Sequence, residues 1–278
     1  MVNSFIAEID KISRRPGTWG PAALFAALGV LFNYVIPYLS YTNPSGHVSS
    51  ASQAKLLAGM LPAQMLPQMV SGFPRFGGAI ALILAALTVG SEFGWGTLKT
   101  VLVQRPGRMD VLIGKLGAIA VALVGFVLVV FAAGALSSLI VATVEHAPAI
   151  WPSLGTITQA IGVGWFILAA WAALGVALAM LVRGTALSIG LGLVYVLVIE
   201  GLIIGFADKL QVLADISRAL PGDNAGSLAA SIIPSALQIK TPGLVATVGP
   251  TQAALVLAAY AVGFVLLSSL LLLKRDVT

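Results

Sequence analysis

The sequence predicts an all-α polytopic membrane protein with six transmembrane helices, an N-terminal interfacial amphipathic helix, a short cytoplasmic helix and short extracytoplasmic helices before the last span. Three observations carry this prediction. The 278 residues are 59% hydrophobic and only 9% charged, with a mean hydropathy of +1.02, which excludes a conventional soluble domain. Apolar runs lie at about 19–40, 74–91, 112–143, 156–182, 186–207 and 251–273, most near the roughly 20 residues needed to cross a bilayer. A span in lipid must satisfy its own backbone hydrogen bonds, so each run reads as a helix. The chain is taken as a single transmembrane domain, 1–278.

Residues 1–18 do not span. Phe5, Ile9 and Ile12 recur at helical spacing with Ile6 beside them, while Glu8, Asp10 and Lys11 are expected to point away. This is the pattern of a helix lying in the membrane interface. Arg14, Arg15 and Pro16 end it, and Trp19 stands where an interfacial aromatic is expected. Charges of both signs here, with no small-x-small site after the first apolar run, argue against a cleavable signal.

Six spans put both termini on one side, and the basic residues choose which. With the termini inside, Lys11, Arg14, Arg15, Lys99, Arg105, Arg108, Lys115, Arg183, Lys274 and Arg275 are cytoplasmic, 10 of the 15 basic residues. The outer segments keep Lys55, Arg75, Lys209, Arg218 and Lys240. The formal charge of +5 thus follows membrane topology, and nucleic acid is not an expected partner. The lipid bilayer is.

Between the first two spans, segment 41–73 carries Leu56, Leu57, Met60, Leu61, Met65, Leu66 and Met69, interrupted by Pro62 and Pro67. It is expected to lie on the outer leaflet or pack on the bundle. The third run, Leu116 to Val144, would reach about 43 Å as one helix, so it must tilt, kink or project. Segment 208–250 alternates apolar pieces with Pro221, Gly222, Pro234, Pro242 and Pro250, and reads as short outer helices, surface-lying or re-entrant. No internal repeat is visible, which speaks against an inverted-repeat transporter.

Little in the chain can carry covalent chemistry. There is no cysteine, and the two histidines, His47 and His146, fall in different outer loops. No metal site or nucleophilic triad is expected. Gly114-Lys115 resembles the end of a nucleotide-binding loop, but Met109 stands where that motif needs glycine and Leu116 where it needs Ser or Thr. No cofactor is expected in this chain.

Glu200 is the carboxylate placed inside a span. A charge at mid-bilayer costs about 2.5–3.5 kcal/mol on insertion scales, so it should face a partner or water. Gly201 and Gly205 follow it in a spacing that permits close helix approach. Either these residues mark a translocation path or subunit interface, or Glu200 is hydrated near the end of its helix. Arg183, in the turn Arg183-Gly184-Thr185, reads as a topological anchor.

The most informative stretch runs from Glu92 to Lys115 and holds six charged side chains: Glu92, Lys99, Arg105, Arg108, Asp110 and Lys115. Gly94 and Gly96 precede a helical stretch from Thr97, a plausible N-cap, to Gln104. Leu98, Val101 and Leu102 share one face, and Pro106-Gly107 stop it. With Trp95, this apolar face needs a protein or the inner leaflet to cover it.

The run Glu92-x3-Gly96-Thr97-Leu98-Lys99, then Gln104-Arg105-Pro106-x-Arg108 closing on Gly114-Lys115, resembles the signature of ABC-2-type permeases, the membrane subunits of one class of ATP-binding-cassette exporter. The resemblance is local in motif, and in layout it extends over most of the chain. It implies that 93–108 is a cytoplasmic coupling helix seated in a cleft of a separate ATPase, with two permeases and two ATPases in the working transporter. Leu98, Val101 and Leu102 would fill the cleft, Glu92, Arg105 and Arg108 would supply polar rim contacts, and Trp95 and Lys99 belong to the same surface. ATP and Mg would then be bound by the partner ATPase. The implied function is export of a hydrophobic or amphipathic substrate across the plasma membrane. The rival reading is a self-contained channel or ion-coupled transporter using Glu200.

Overall fold

The computed structural model describes residues 2–44, 49–94, 107–207, 209–233, 244 and 246–274. All regular structure among them is helical, and six helices are long and apolar enough to cross a membrane. In chain order the helices are α1 (Val2–Arg14), α2 (Pro16–Thr42), α3 (Ser50–Met60), α4 (Met65–Val70), α5 (Phe73–Gly94), α6 (Arg108–Val144), α7 (Leu154–Val182), α8 (Thr185–Phe206), α9 (Gln211–Ser217), α10 (Pro221–Ser231) and α11 (Pro250–Lys274). The six spans coincide with the apolar runs of the sequence to within a few residues.

Local signals set the boundaries. Arg15 breaks α1 in an extended conformation, and Pro16 opens α2, where its missing N–H leaves nothing unsatisfied. Ser153 caps α7 by accepting the Thr156 N–H. Arg183 ends α7 in the left-handed region (φ 56°), and the extended Gly184 leads directly into α8. The sequence left α6 to tilt, kink or project. It is one unbroken helix of 37 residues, about 55 Å long, so its ends pass beyond a hydrocarbon core of about 30 Å. Three spans contain wide π turns, at Leu31–Val35, Phe73–Gly77 and Val194–Ile199.

Helices α5 and α7 form the centre of the bundle: two-thirds of the apolar window of each is buried, against about a fifth for α2, α8 and α11. Small residues allow the close approach that membrane helices need, because lipid offers no hydrophobic drive between them. Gly78 of α5 lies flat against the Trp171 indole of α7, where a Cβ would collide with the ring. A Cβ on Gly175 would come within 2.5 Å of the Leu82 carbonyl. Trp171 is 1% exposed and donates its indole N–H to the Pro74 carbonyl at 3.0 Å, satisfying a backbone group in the π turn.

The second half of the segment between the first two spans, from Met60 to Val70, packs into the bundle, while most of α3 stays at the surface. Met60, Met65, Leu66, Met69 and Val70 are all buried, and Gly134 of α6 admits the Met69 side chain. On the same side, α10 is buried along almost its entire length, from Pro221 to Ala230. Its small residues (Gly222, Ala225, Gly226, Ser227) let it insert beside α11 and the start of α5. Irregular backbone near membrane depth is tolerated only under such cover.

Candidate functional site

The described residues flanking the Glu92–Lys115 stretch converge on a buried ionic cluster built by α1, α5 and α6. Lys115 Nζ lies 2.6 Å from Glu92 Oε1 and 2.9 Å from Glu8 Oε1. Lys11 Nζ closes the ring at 2.8 Å from Glu92 Oε1 and 2.7 Å from Glu8 Oε1. Lys115 is 1% exposed, Glu92 3% and Glu8 6%, so these three are inside the protein, while the Lys11 side chain is 37% exposed at its edge. Two acids and two lysines cancel, the one arrangement in which burying so many charges is tolerable. Burial alone would lower the Lys11 pKa, but hydrogen bonds and Coulombic attraction from Glu8 and Glu92 outweigh it and hold the ammonium above the ordinary lysine value.

Glycines make the approach possible. A Cβ on Gly114 would stand 3.0 Å from Ser4 Cβ and 3.1 Å from the Phe5 nitrogen, and one on Gly117 would press on the Phe5 ring. The backbone of α1 therefore lies directly on α6, with Phe5, Ile9 and Ile12 packed beside the ions. This corrects the sequence reading of α1: Glu8 is on the buried face, whereas Ile6 is exposed. The signal was present, since Glu8 is three residues after Phe5 and four before Ile12.

The cluster brackets the expected coupling helix. Trp95, Leu98, Lys99, Val101, Leu102 and Arg105 lie outside the described residues. Glu92, expected on a polar rim, is instead a buried member of the ring, because two ammonium groups compensate it there. Arg108, the other described rim candidate, donates from Nη1 to the Leu272 carbonyl at 3.0 Å and the Leu273 carbonyl at 3.3 Å. It satisfies orphan carbonyls in the last turn of α11 and places a cation where the helix dipole favours one. Arg15 adds a bond to Ser91 Oγ at 3.1 Å. Glu8, Lys11 and Lys115 were missed as partners by the sequence reading.

A second polar group sits at the opposite end of the bundle. Glu200 is 2% exposed, so it is not the hydrated end-of-helix residue that the sequence allowed. Its Oε1 accepts the Gly222 N–H at 3.2 Å at the start of α10, and the Tyr195 hydroxyl lies nearby. Any side chain on residue 222 would run into that carboxylate. Asp223 is 4% exposed, and burial pushes its carboxyl above the usual range despite hydrogen bonds with Thr247 and Ser217 and the nearby Arg75 and Arg218. Gly201 and Gly205 face open space within this subunit, with nothing within 4 Å of where a Cβ would stand. His146 adopts a left-handed backbone (φ 50°) just past α6, and His47 lies outside the described residues. Among the described residues no group of His, Cys, Asp and Glu is arranged to hold a metal.

Six apolar helices, an N-terminal helix bound beneath them and a signature stretch anchored at both ends match the layout that the Gly96-Thr97-Leu98-Lys99 and Arg105-Pro106 motifs suggested. No individual curated protein matches the chain. The model of the ABC-2 family transporter proteins matches residues 2–277, nearly the whole chain, which therefore belongs to the ABC-2 transporter family as a multi-pass membrane permease.

Proposed function

We propose that this chain is the membrane subunit of an ATP-driven exporter, and that a separate ATPase moves it through residues 93–108. The observation that carries this reading is the Lys115–Glu92 ion pair within the Glu8–Lys11 cluster. It ties the last turn of α5 and the first turns of α6 to each other and to α1. Force applied to the intervening segment is thereby delivered to three helices at once. Such coupling performs work only if the ATPase fits two states of the bundle differently.

In this reading two copies of the chain, or this chain and a paralogue, join two ATPase subunits that bind ATP and Mg. Both termini face the cytoplasm, and the membrane is the plasma membrane. Leu98, Val101 and Leu102 seat in the ATPase cleft, with Trp95, Lys99 and Arg105 around them. The cargo is hydrophobic or amphipathic, in keeping with spans that carry few polar side chains. Replacing Leu98 and Leu102 with Asp should abolish co-purification of the ATPase and ATP-dependent transport while leaving membrane insertion intact. Retention of both activities would refute the coupling assignment.

One observation favours a second reading. Glu200 and Asp223 are both buried at the other end of the bundle, and ionisable groups at such depth are often functional. A self-contained ion-coupled transporter would move its solute in vesicles containing this purified chain alone, without ATP, and would lose that transport in Glu200→Gln. Absence of transport by the single chain removes this reading.

A further inference from the structure

The end of the bundle opposite α1 holds a cleft of about 270 Å³ between α2 and α6, lined by Val30, Tyr34 and Val35 on one side and Ile140, Val141 and Val144 on the other. Val35, Ile140 and Val144 are 42%, 61% and 56% exposed, so the cleft opens sideways into the lipid. At its mouth Tyr38 donates to Glu145 Oε1 at 2.8 Å and Tyr41 donates to Oε2 at 3.1 Å. The two rings stand 6.2 Å apart, centroid to centroid. Each carboxylate oxygen thus receives a neutral donor, and among the described residues no basic side chain forms an ion pair with Glu145. Among these residues the charge is oriented but not cancelled.

The geometry points to a binding site for a cationic amphiphile, with its aliphatic chain in the α2–α6 cleft and an ammonium head at Glu145 beside Tyr38 and Tyr41. Three features select this occupant. The walls are apolar and open to the bilayer, which suits an aliphatic chain arriving from the leaflet and gives no anchorage to a soluble ion. A half-buried carboxylate attracts an ammonium by charge, and the two tyrosine side chains beside it offer apolar contact to the head's substituents. The Tyr34 hydroxyl, 3% exposed, lies beside Ser138 but makes no well-formed hydrogen bond, and Ser138 Oγ already donates to the Ala135 carbonyl at 3.0 Å. That leaves a buried, unpaired hydroxyl on the cleft wall beside Ser138, about two helical turns along α6 from Glu145, for a polar group partway down the amphiphile's chain. The adjoining π turn, Leu31–Val35, lies in the same stretch of α2 that walls the cleft.

This site needs neither the ATPase nor transport, so it can be tested on the purified chain in nanodiscs of neutral phosphatidylcholine. The probe is a tetradecyltrimethylammonium carrying a diazirine at the far end of its chain, with the sulfate-headed analogue of the same length as control. Saturable photolabelling should map to the end of the cleft away from Glu145, around Val30 and Ser137, and the sulfate analogue should label at least about ten-fold less. Glu145→Gln should reduce labelling about ten-fold, Glu145→Asp should retain most of it, and Val141→Trp should remove it by filling the cleft. Gel-filtration profiles identify any variant that fails to fold, and Tyr41→Phe, which keeps the ring, then serves as the milder replacement for Glu145→Gln with a smaller loss expected. Equal labelling by the two head groups, labelling indifferent to both Glu145→Gln and Tyr41→Phe, or labelling confined to other helices would overturn the assignment.

Discussion

Lys115 Nζ lies 2.6 Å from Glu92 Oε1, and this contact pins together the two ends of a chain segment that leaves α5 and returns in α6. Because Lys115 is 1% exposed and Glu92 3%, the pair cannot fall back on water if one partner is lost. The consequence is asymmetric. Lys115→Met strands Glu8 and Glu92 against Lys11 alone and should destabilise the protein by about 3–5 kcal/mol. Lys115→Met combined with Glu92→Leu restores charge balance around Glu8 and Lys11 and should recover most of that loss, since well-packed apolar replacements of buried pairs are often neutral. Thermal denaturation in mild detergent, read by fluorescence-detected gel filtration, distinguishes the two. A double variant no more stable than Lys115→Met would show that the ring's ionic balance is not what holds the three helices.

Arg108 should matter for α11 more than for local helix formation. Its guanidinium covers the Leu272 and Leu273 carbonyls, and removing it leaves them without this charged donor. Arg108→Ala should cost about 1–3 kcal/mol, the range for hydrogen bonds to a charged group, and Arg108→Lys should recover only part of it. Hydrogen–deuterium exchange over the last turn of α11 is the direct measurement, with faster exchange expected in Arg108→Ala. Unchanged exchange there would mean that the end of α11 is held by other contacts.

The six spans were legible because the bilayer imposes a length and a polarity that local composition reports directly. Leu154–Val182 and Pro250–Lys274 are continuous apolar runs, and their helical state follows from the absence of any other backbone partner in lipid. The ionic ring was not legible, since Glu8 and Lys115 are 107 residues apart and nothing in either neighbourhood names the other. Register with Phe5 and Ile12 puts Glu8 on the apolar face, but nothing local names the lysines that make its burial tolerable, and the close approach at Gly114 is what brings Lys115 to it. Burial of α10 was hidden for a different reason. Its sequence, PGDNAGSLAAS, has the composition of a turn, but its small side chains are what allow it to insert among larger helices. Glu200 was singled out on insertion cost, yet its partner, the Gly222 N–H, is a backbone group that sequence cannot display.

Asp223 gives the protein a predictable response to pH. Burial raises its carboxyl pKa in the folded state, so the folded chain binds this proton more tightly than the unfolded chain. By linkage that contribution is fully present below the unfolded value of about 3.9 and is lost as pH rises through the raised folded value. At neutral pH the buried carboxylate is therefore a liability that Asp223→Asn removes. The variant should melt higher than the parent near neutral pH, with the gap closing as pH falls toward about 4. Melting curves across that range test the sign, and a gap that widens on acidification would reverse the assignment of burial as the dominant influence.

The Glu200–Gly222 contact yields the sharpest structural prediction, because one partner is defined by having no side chain. Gly222→Ala drives a methyl into the Glu200 carboxylate and removes the space in which its hydrogen bond to the Gly222 N–H is made. Overpacking of this kind typically costs about 1–3 kcal/mol, with the loss of that hydrogen bond adding to it. Glu200→Ala alone also carries a cost, since it leaves the first turn of α10 without its acceptor. In the double variant the added methyl occupies space that the shortened side chain has vacated, so the two losses should not add. A coupling of about 0.5–3 kcal/mol in the double-mutant cycle is the expected outcome, favouring the double variant. Strict additivity would mean that α10 already stands away from α8 in the membrane. It would also remove the direct link between Glu200 and the first turn of the short helix it caps.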